Sequence, residues 1–115
     1  MFLNFSNHDS SNWGDKQLEV AQRHGDLIDW TFPSISPEDT YDNVLELAED
    51  YASKILELKP EVVHIMGEMT FTFILINLLK SSGIRCVAST TNRIVEENKE
   101  GKVSKFEFVQ FRPYY

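Results

Sequence analysis

The chain has 115 residues, 42% hydrophobic and 12% aromatic, enough for one domain with a single core and too apolar for a disordered segment. Its net charge of −7 is uneven: residues 1–79 carry 4 Lys/Arg against 14 Asp/Glu, and residues 80–115 carry 7 against 4. So acidic a surface excludes a long nucleic acid, whose affinity comes from phosphate neutralisation, but leaves room for a short phosphate ligand held locally by Arg and backbone N–H groups.

Met1 to Phe5 reads as a first strand, and no basic stretch followed by a long apolar run marks a secretory signal. Asn7 to Asn12 is a loop of turn formers. Asp15 is the expected N-cap of a short helix with Leu18, Ala21 and Val20 on its apolar face, ending near Gly25. Leu27 to Phe32 is a second strand closed by Pro33, and residues 34–37 are linker. A clearer helix starts near Pro37 or Thr40. Val44, Leu47, Ala48, Tyr51, Ile55 and Leu58 recur at three- and four-residue spacing along it.

Residues 62–93 carry the strongest pattern: an apolar run from Val62 to Met66, a corner at Gly67, a helix, then Ile84 to Ala88 leading into Ser89-Thr-Thr-Asn-Arg93. The helix, Phe71 to Leu79, is apolar nearly all round and must be covered on more than one side. A second copy of the chain is the expected cover, and wrapping by the C-terminal segment the alternative. Interrupted by Asn77, this segment is far shorter than the ~20 residues of a membrane helix. Cys86, the one cysteine, cannot form an internal disulfide, which points to a reducing, cytoplasmic compartment. Beyond Arg93 two alternating segments flank Asn98 to Lys102 as a β-hairpin, and the fourth strand either ends before it or runs on into it. The expectation is one α/β domain over residues 1–115, a small three-layer Rossmann-like sheet capped by a C-terminal antiparallel hairpin.

Polar groups cluster at three expected strand ends: Asn4, Ser6, Asn7 and His8; Gly67, Glu68, Thr70 and Thr72; and Ser89 to Arg93. Were strands one, three and four neighbours, these groups would meet on one edge, where open α/β sheets bind ligands. Gly67 would turn the backbone sharply, and Thr70 would lie near a helix start whose N–H groups suit phosphate. Glu68 there is either a general base or a favourable charge at the positive helix end. Thr90, Thr91 and Arg93 suit phosphate and ribose, and Arg112 offers a second guanidinium fork. His8, in a polar loop, is the histidine expected to move a proton. His64, inside an apolar strand, reads as a core histidine satisfied by a backbone partner, and His24 as a helix C-terminal cation. The sequence has no GxxxxGK[ST], GxGxxG or G-x-S-x-G motif and no cluster at metal-ligand spacing. Neither a Ser-His-Asp hydrolase nor a metal or cofactor is therefore expected.

The strand running into Asn4-Phe-Ser-Asn-His8, the strand-Gly-helix unit, the Thr-Thr-Asn-Arg93 segment and the closing Phe111-Arg-Pro-Tyr resemble small, stand-alone CRISPR-associated proteins of type III systems. These have a Rossmann-like nucleotide-sensing (CARF-type) architecture. The resemblance implies a homodimer that binds a cyclic oligoadenylate messenger across its two-fold axis. It further implies antiviral ring cleavage without metal, by attack of a ribose 2′-hydroxyl on the neighbouring phosphate, or binding alone. Ser6, Asn7, His8, Gly67, Glu68 and Thr70 would then face the ligand, with Thr90, Thr91 and Arg93 on phosphate and ribose. His8, Glu68 and Arg93 would be the catalytic groups. With no effector domain expected, the role is signal removal or sequestration. A small α/β interaction protein, assembling through its apolar helix, is the alternative without a ligand.

Overall fold

A computed structural model describes residues 1–115. Five strands and three helices follow one another as β1 (Phe2–Ser6), α1 (Asp15–Gln22), β2 (Leu27–Asp29), α2 (Tyr41–Leu58), β3 (Val62–Met66), α3 (Met69–Ser81), β4 (Arg85–Asn98) and β5 (Gly101–Pro113), with a 3-10 turn at Ser10–Asn12. They form a small mixed α/β domain around one sheet, ordered β2-β1-β3-β4-β5. The first four strands are parallel and β5 runs antiparallel to β4. No helix is long and apolar enough to cross a membrane.

Side chains alternate between the two sheet faces, and the pattern of β1 and β3 decides what each face holds. Leu3, Phe5, Val63, Ile65 and Cys86 point to one side and pack against α2 and α3 in the larger core. Phe2, Val62 and Val87 point to the other, where Trp13 and Ala21 of the α1 region cover them. The second core is thin. Asn4, Ser6 and His64 share its face, so three buried polar side chains stand where apolar ones would otherwise fill the layer.

Of the two expected starts of α2 the structure takes Thr40, with a capping box: the Asn43 N–H donates to Thr40 Oγ1 at 3.2 Å, and the Thr40 N–H to Asn43 Oδ1 at 3.0 Å. Val44, Ala48, Ala52 and Ile55 are its buried stripe, and Lys59, left-handed at φ 55°, ends it before Pro60. Helix α1 differs from expectation. Its N-cap is Gly14, and Asp15 is the first helical residue, where a carboxylate favours the positive end of the helix without capping it. Strand β2 also stops early. The Trp30 N–H still donates to the Asn4 carbonyl, but Trp30 and Phe32 then turn onto Phe5, with ring centroids 6.0 and 5.4 Å away. Aromatic burial takes the place of the remaining ladder.

Strand β4 does not end at Arg93 but runs on into the hairpin, the second of the two expected courses. It pairs with β3 only over Arg85–Val87, then continues with β5 alone to Asn98. The two strands project from the domain as an exposed arm, and the radius of gyration, 15.8 Å, exceeds the about 13 Å of a compact chain of this length. A bulge opposite Thr90/Thr91 places Val109 outside the regular pairing.

Candidate functional site

Strands β1, β3 and β4 are neighbours, and the strand order reverses between β1 and β3. At that point a row of polar side chains crosses the sheet. Asn4 Nδ2 donates to the His8 carbonyl at 2.8 Å and to Asp29 Oδ1 at 2.7 Å. Two acceptors on one side settle which end of the amide is nitrogen. Asn4 Oδ1 therefore faces inward, 2.7 Å from Ser6 Oγ and 2.8 Å from His64 Nδ1. Because Oδ1 only accepts, Nδ1 of His64 carries the proton and Nε2 of the neutral ring is free to accept. Ser89 Oγ lies 3.2 Å from that Nε2 and 3.1 Å from Met66 Sδ. His64 is boxed by Trp13 and Phe111, with centroids at 5.5 and 5.3 Å. Burial, aided by the charge of His8, pushes its pKa down to about 4.

The expected site residues divide into four places. Ser6, Asn7 and His8 do gather with Asn4: Ser6 Oγ accepts the His8 N–H at 3.2 Å, and the Asn7 N–H donates to the Met66 carbonyl. Ser6 and Asn7 line a 270 Å³ cavity with Asn4, Asp9, Asp29 and the Trp30–Phe32 turn. Its charged groups are carboxylates, suited to hydroxyl or amine donors. Asp9 is held below the usual carboxylate range by the Ser11 N–H.

Gly67, Glu68 and Thr70 form the second place, apart from that cavity. Gly67 has no left-handed backbone; it is glycine because the Phe32 ring occupies the space of a side chain. Glu68, not Thr70, is the N-cap of α3, accepting from the Thr70 N–H at 3.0 Å and the Phe71 N–H at 2.7 Å. These bonds, the one to Phe71 foremost, lower the Glu68 pKa. They also occupy the N–H groups expected to meet phosphate. A groove of 540 Å³ runs from Met66 and Gly67 along Met69 and Phe73 to Tyr114 and Tyr115.

Thr91 and Arg93 belong to the arm. Arg93 stands four residues beyond Ser89, about 13 Å at the rise of a strand, and donates to Ser104 Oγ at 3.2 Å. Phe106 is directly opposite it and Phe108 opposite Thr91. Thr90 and Arg112 occupy the other sheet face: Thr90 Oγ1 donates to the Gln110 carbonyl, and Arg112 pairs with Ala88, not with the row of Ser89.

Three participants escape sequence reasoning. Asp29 sits at the end of a strand expected to run on. Ser89 is visible only as one of five polar residues. His64 takes side-chain partners where a backbone partner was expected. One signal was present: Asn4 and His64 are the polar interruptions at the middle of two apolar strands, and in register they are direct neighbours.

The model of the family described as "Uncharacterized protein MJ1673 family" matches residues 1–112, from the first strand to the penultimate residue of the last. The chain belongs to the MJ1673 family. No curated protein matches it. The matched span of this MJ1673-family chain takes in the whole polar row, the cavity beside it and the entire arm. It holds no group of three or more His, Cys, Asp or Glu side chains that could ligate a metal ion.

Proposed function

We propose that the protein binds a short phosphate-linked nucleotide ring of the cyclic oligoadenylate type and opens it without a metal. One observation carries this reading: the sheet face that bears the polar row continues up the arm as Phe111, Phe108, Thr91, Phe106 and Arg93. Phe108 and Phe111 are 4.9 Å apart, and Phe106 is 69% exposed opposite Arg93. Aromatic faces beside a guanidinium suit bases and the phosphates between them. Below them, Asp9 and Asp29 offer acceptors for ribose hydroxyls. The strand order and parallel pairing of β1 to β4 favour a Rossmann-like assignment, whose ligands bind where the strand order reverses. The resemblance to CARF-type CRISPR-associated proteins points the same way.

In ring opening a ribose 2′-oxygen attacks the adjacent phosphorus and the 5′-oxygen departs, leaving a 2′,3′-cyclic phosphate. The protein aligns the two in line and stabilises charge on the phosphorane. Arg93, up the arm, holds a neighbouring phosphate of the ring, while His8, exposed on its loop beside the polar row, relays the proton of the attacking 2′-hydroxyl to the leaving 5′-oxygen. Glu68 is assigned to capping. The exposed Met69 and Phe73 on α3 favour a homodimer through that helix. Incubation with a panel of cyclic oligoadenylates in EDTA tests the reading. Linear products ending in a 2′,3′-cyclic phosphate support it, binding without turnover reduces the role to sequestration, and no binding removes it. Light scattering of the eluting protein tests the dimer.

A further inference from the structure

The polar row has a geometry that the nucleotide reading does not use. Ser89 Oγ is 3.2 Å from His64 Nε2, His64 Nδ1 is 2.8 Å from Asn4 Oδ1, and Asn4 Nδ2 is 2.7 Å from Asp29 Oδ1. The hydrogen-bond directions are fixed from the Asp29 end, as argued above, so the acceptor nitrogen of the imidazole points at the serine hydroxyl. A hydroxyl beside a base, the base turned by a third polar group, is the arrangement of an activated nucleophile. A ring nitrogen is a better acceptor than the thioether of Met66, the hydroxyl's other neighbour. His64 and Asn4 are each 1% exposed, whereas Ser89 is half-buried at the edge of the row. The base is thus shielded and the nucleophile is reachable.

We propose that Ser89 is a nucleophile, activated by His64 and oriented by Asn4, that accepts the acyl group of a small, uncharged, apolar carboxylic ester. The surroundings set that class. Phe111 pairs directly with Ser89, and Phe108 and Met66 adjoin, giving an apolar shoulder for an acyl group. Ser89 Oγ bonds to the ester carbonyl carbon as its proton moves to His64 Nε2 and the carbonyl π pair becomes the oxyanion. Collapse breaks the bond to the alcohol oxygen, which takes the proton from Nε2. Water then repeats the sequence on acyl-Ser89, releasing the acid and restoring the hydroxyl. The balance is ester and water to acid and alcohol.

The test is treatment of the full chain with a fluorophosphonate probe, read by intact mass and peptide mapping, beside p-nitrophenyl acetate hydrolysis. One adduct per chain on Ser89 is expected, absent from Ser89→Ala, with hydrolysis falling at least tenfold in that variant while its thermal midpoint is kept. Labelling should be level from pH 6 to 8 and fall only as the pH approaches about 4, where His64 titrates. Ser89→Cys supplies a second readout. Its thiol should react with iodoacetamide at least tenfold faster than glutathione at pH 7, while buried Cys86 stays unmodified. No adduct on Ser89, hydrolysis unchanged in Ser89→Ala, or a Ser89→Cys thiol no faster than glutathione would overturn the proposal.

Discussion

A β-carbon built onto Gly67 would lie 2.3 Å from Cζ of Phe32, so the ring of one residue fills the place where the other would carry a side chain. The contact ties the segment after β2 to the end of β3. It also explains why a glycine is needed at a position whose backbone any residue could adopt.

Gly67→Ala is therefore expected to destabilise the fold by ~1–3 kcal/mol, through overpacking and not through backbone strain. Urea unfolding measures it. Combined with Phe32→Leu, the loss should be smaller than the sum of the two single losses, since a shorter side chain yields the space. Additive losses would show that the two residues do not share it.

His64 makes stability depend on pH. In the unfolded chain its imidazole takes up a proton near 6.5, but in the folded protein only near 4. Between those values the unfolded state binds more protons, so stability rises with pH across that window, is level above it, and has lost about 3 kcal/mol at its lower end. Unfolding curves at pH 7 and pH 4.5 should show most of that difference. A His64→Gln variant should lack the corresponding slope.

Glu68 serves as a cap, and Glu68→Ala should cost about 1 kcal/mol of stability by freeing two N–H groups at the start of α3. Any ring-opening activity should survive, within a few-fold, in the folded variant. A loss of activity without a loss of stability would instead make Glu68 the proton acceptor.

Arg93 lies on the exposed arm, bonded only to Ser104 among side chains. Arg93→Ala should change stability by less than about 0.5 kcal/mol yet weaken cyclic oligoadenylate binding by ~1–3 kcal/mol. Phe106→Ser should behave alike if bases stack on that face. Calorimetric titration of each variant separates the two effects.

The sequence announced the elements whose instructions are local. Thr40 starts α2, the three- and four-residue spacing of Val44, Ala48 and Ile55 lays its stripe, and Gly101 turns the hairpin. Where long-range packing decides, the reading failed. Trp30 and Phe32 look like strand residues until Phe5 and Gly67 are placed beside them. Ser89 to Arg93 looks like one strand end, but the partner that would have ended it at Ser89, β3, is shorter than the one that carries it outward, β5. The polar row was harder still, because Asn4, Asp29, His64 and Ser89 become neighbours only through the strand order. Each alone has an ordinary explanation.

The irregularity at Val109 has a further consequence. It lets Phe108 and Phe111, three residues apart, lie on the same side of the ribbon and touch. Deleting Val109 would put Phe108 two positions from Phe111, where plain alternation keeps both on that side and Phe106 still faces Arg93. What the excision removes is the extra twist at the root of the arm, so the ribbon would be re-aimed relative to the domain while each side chain keeps its face.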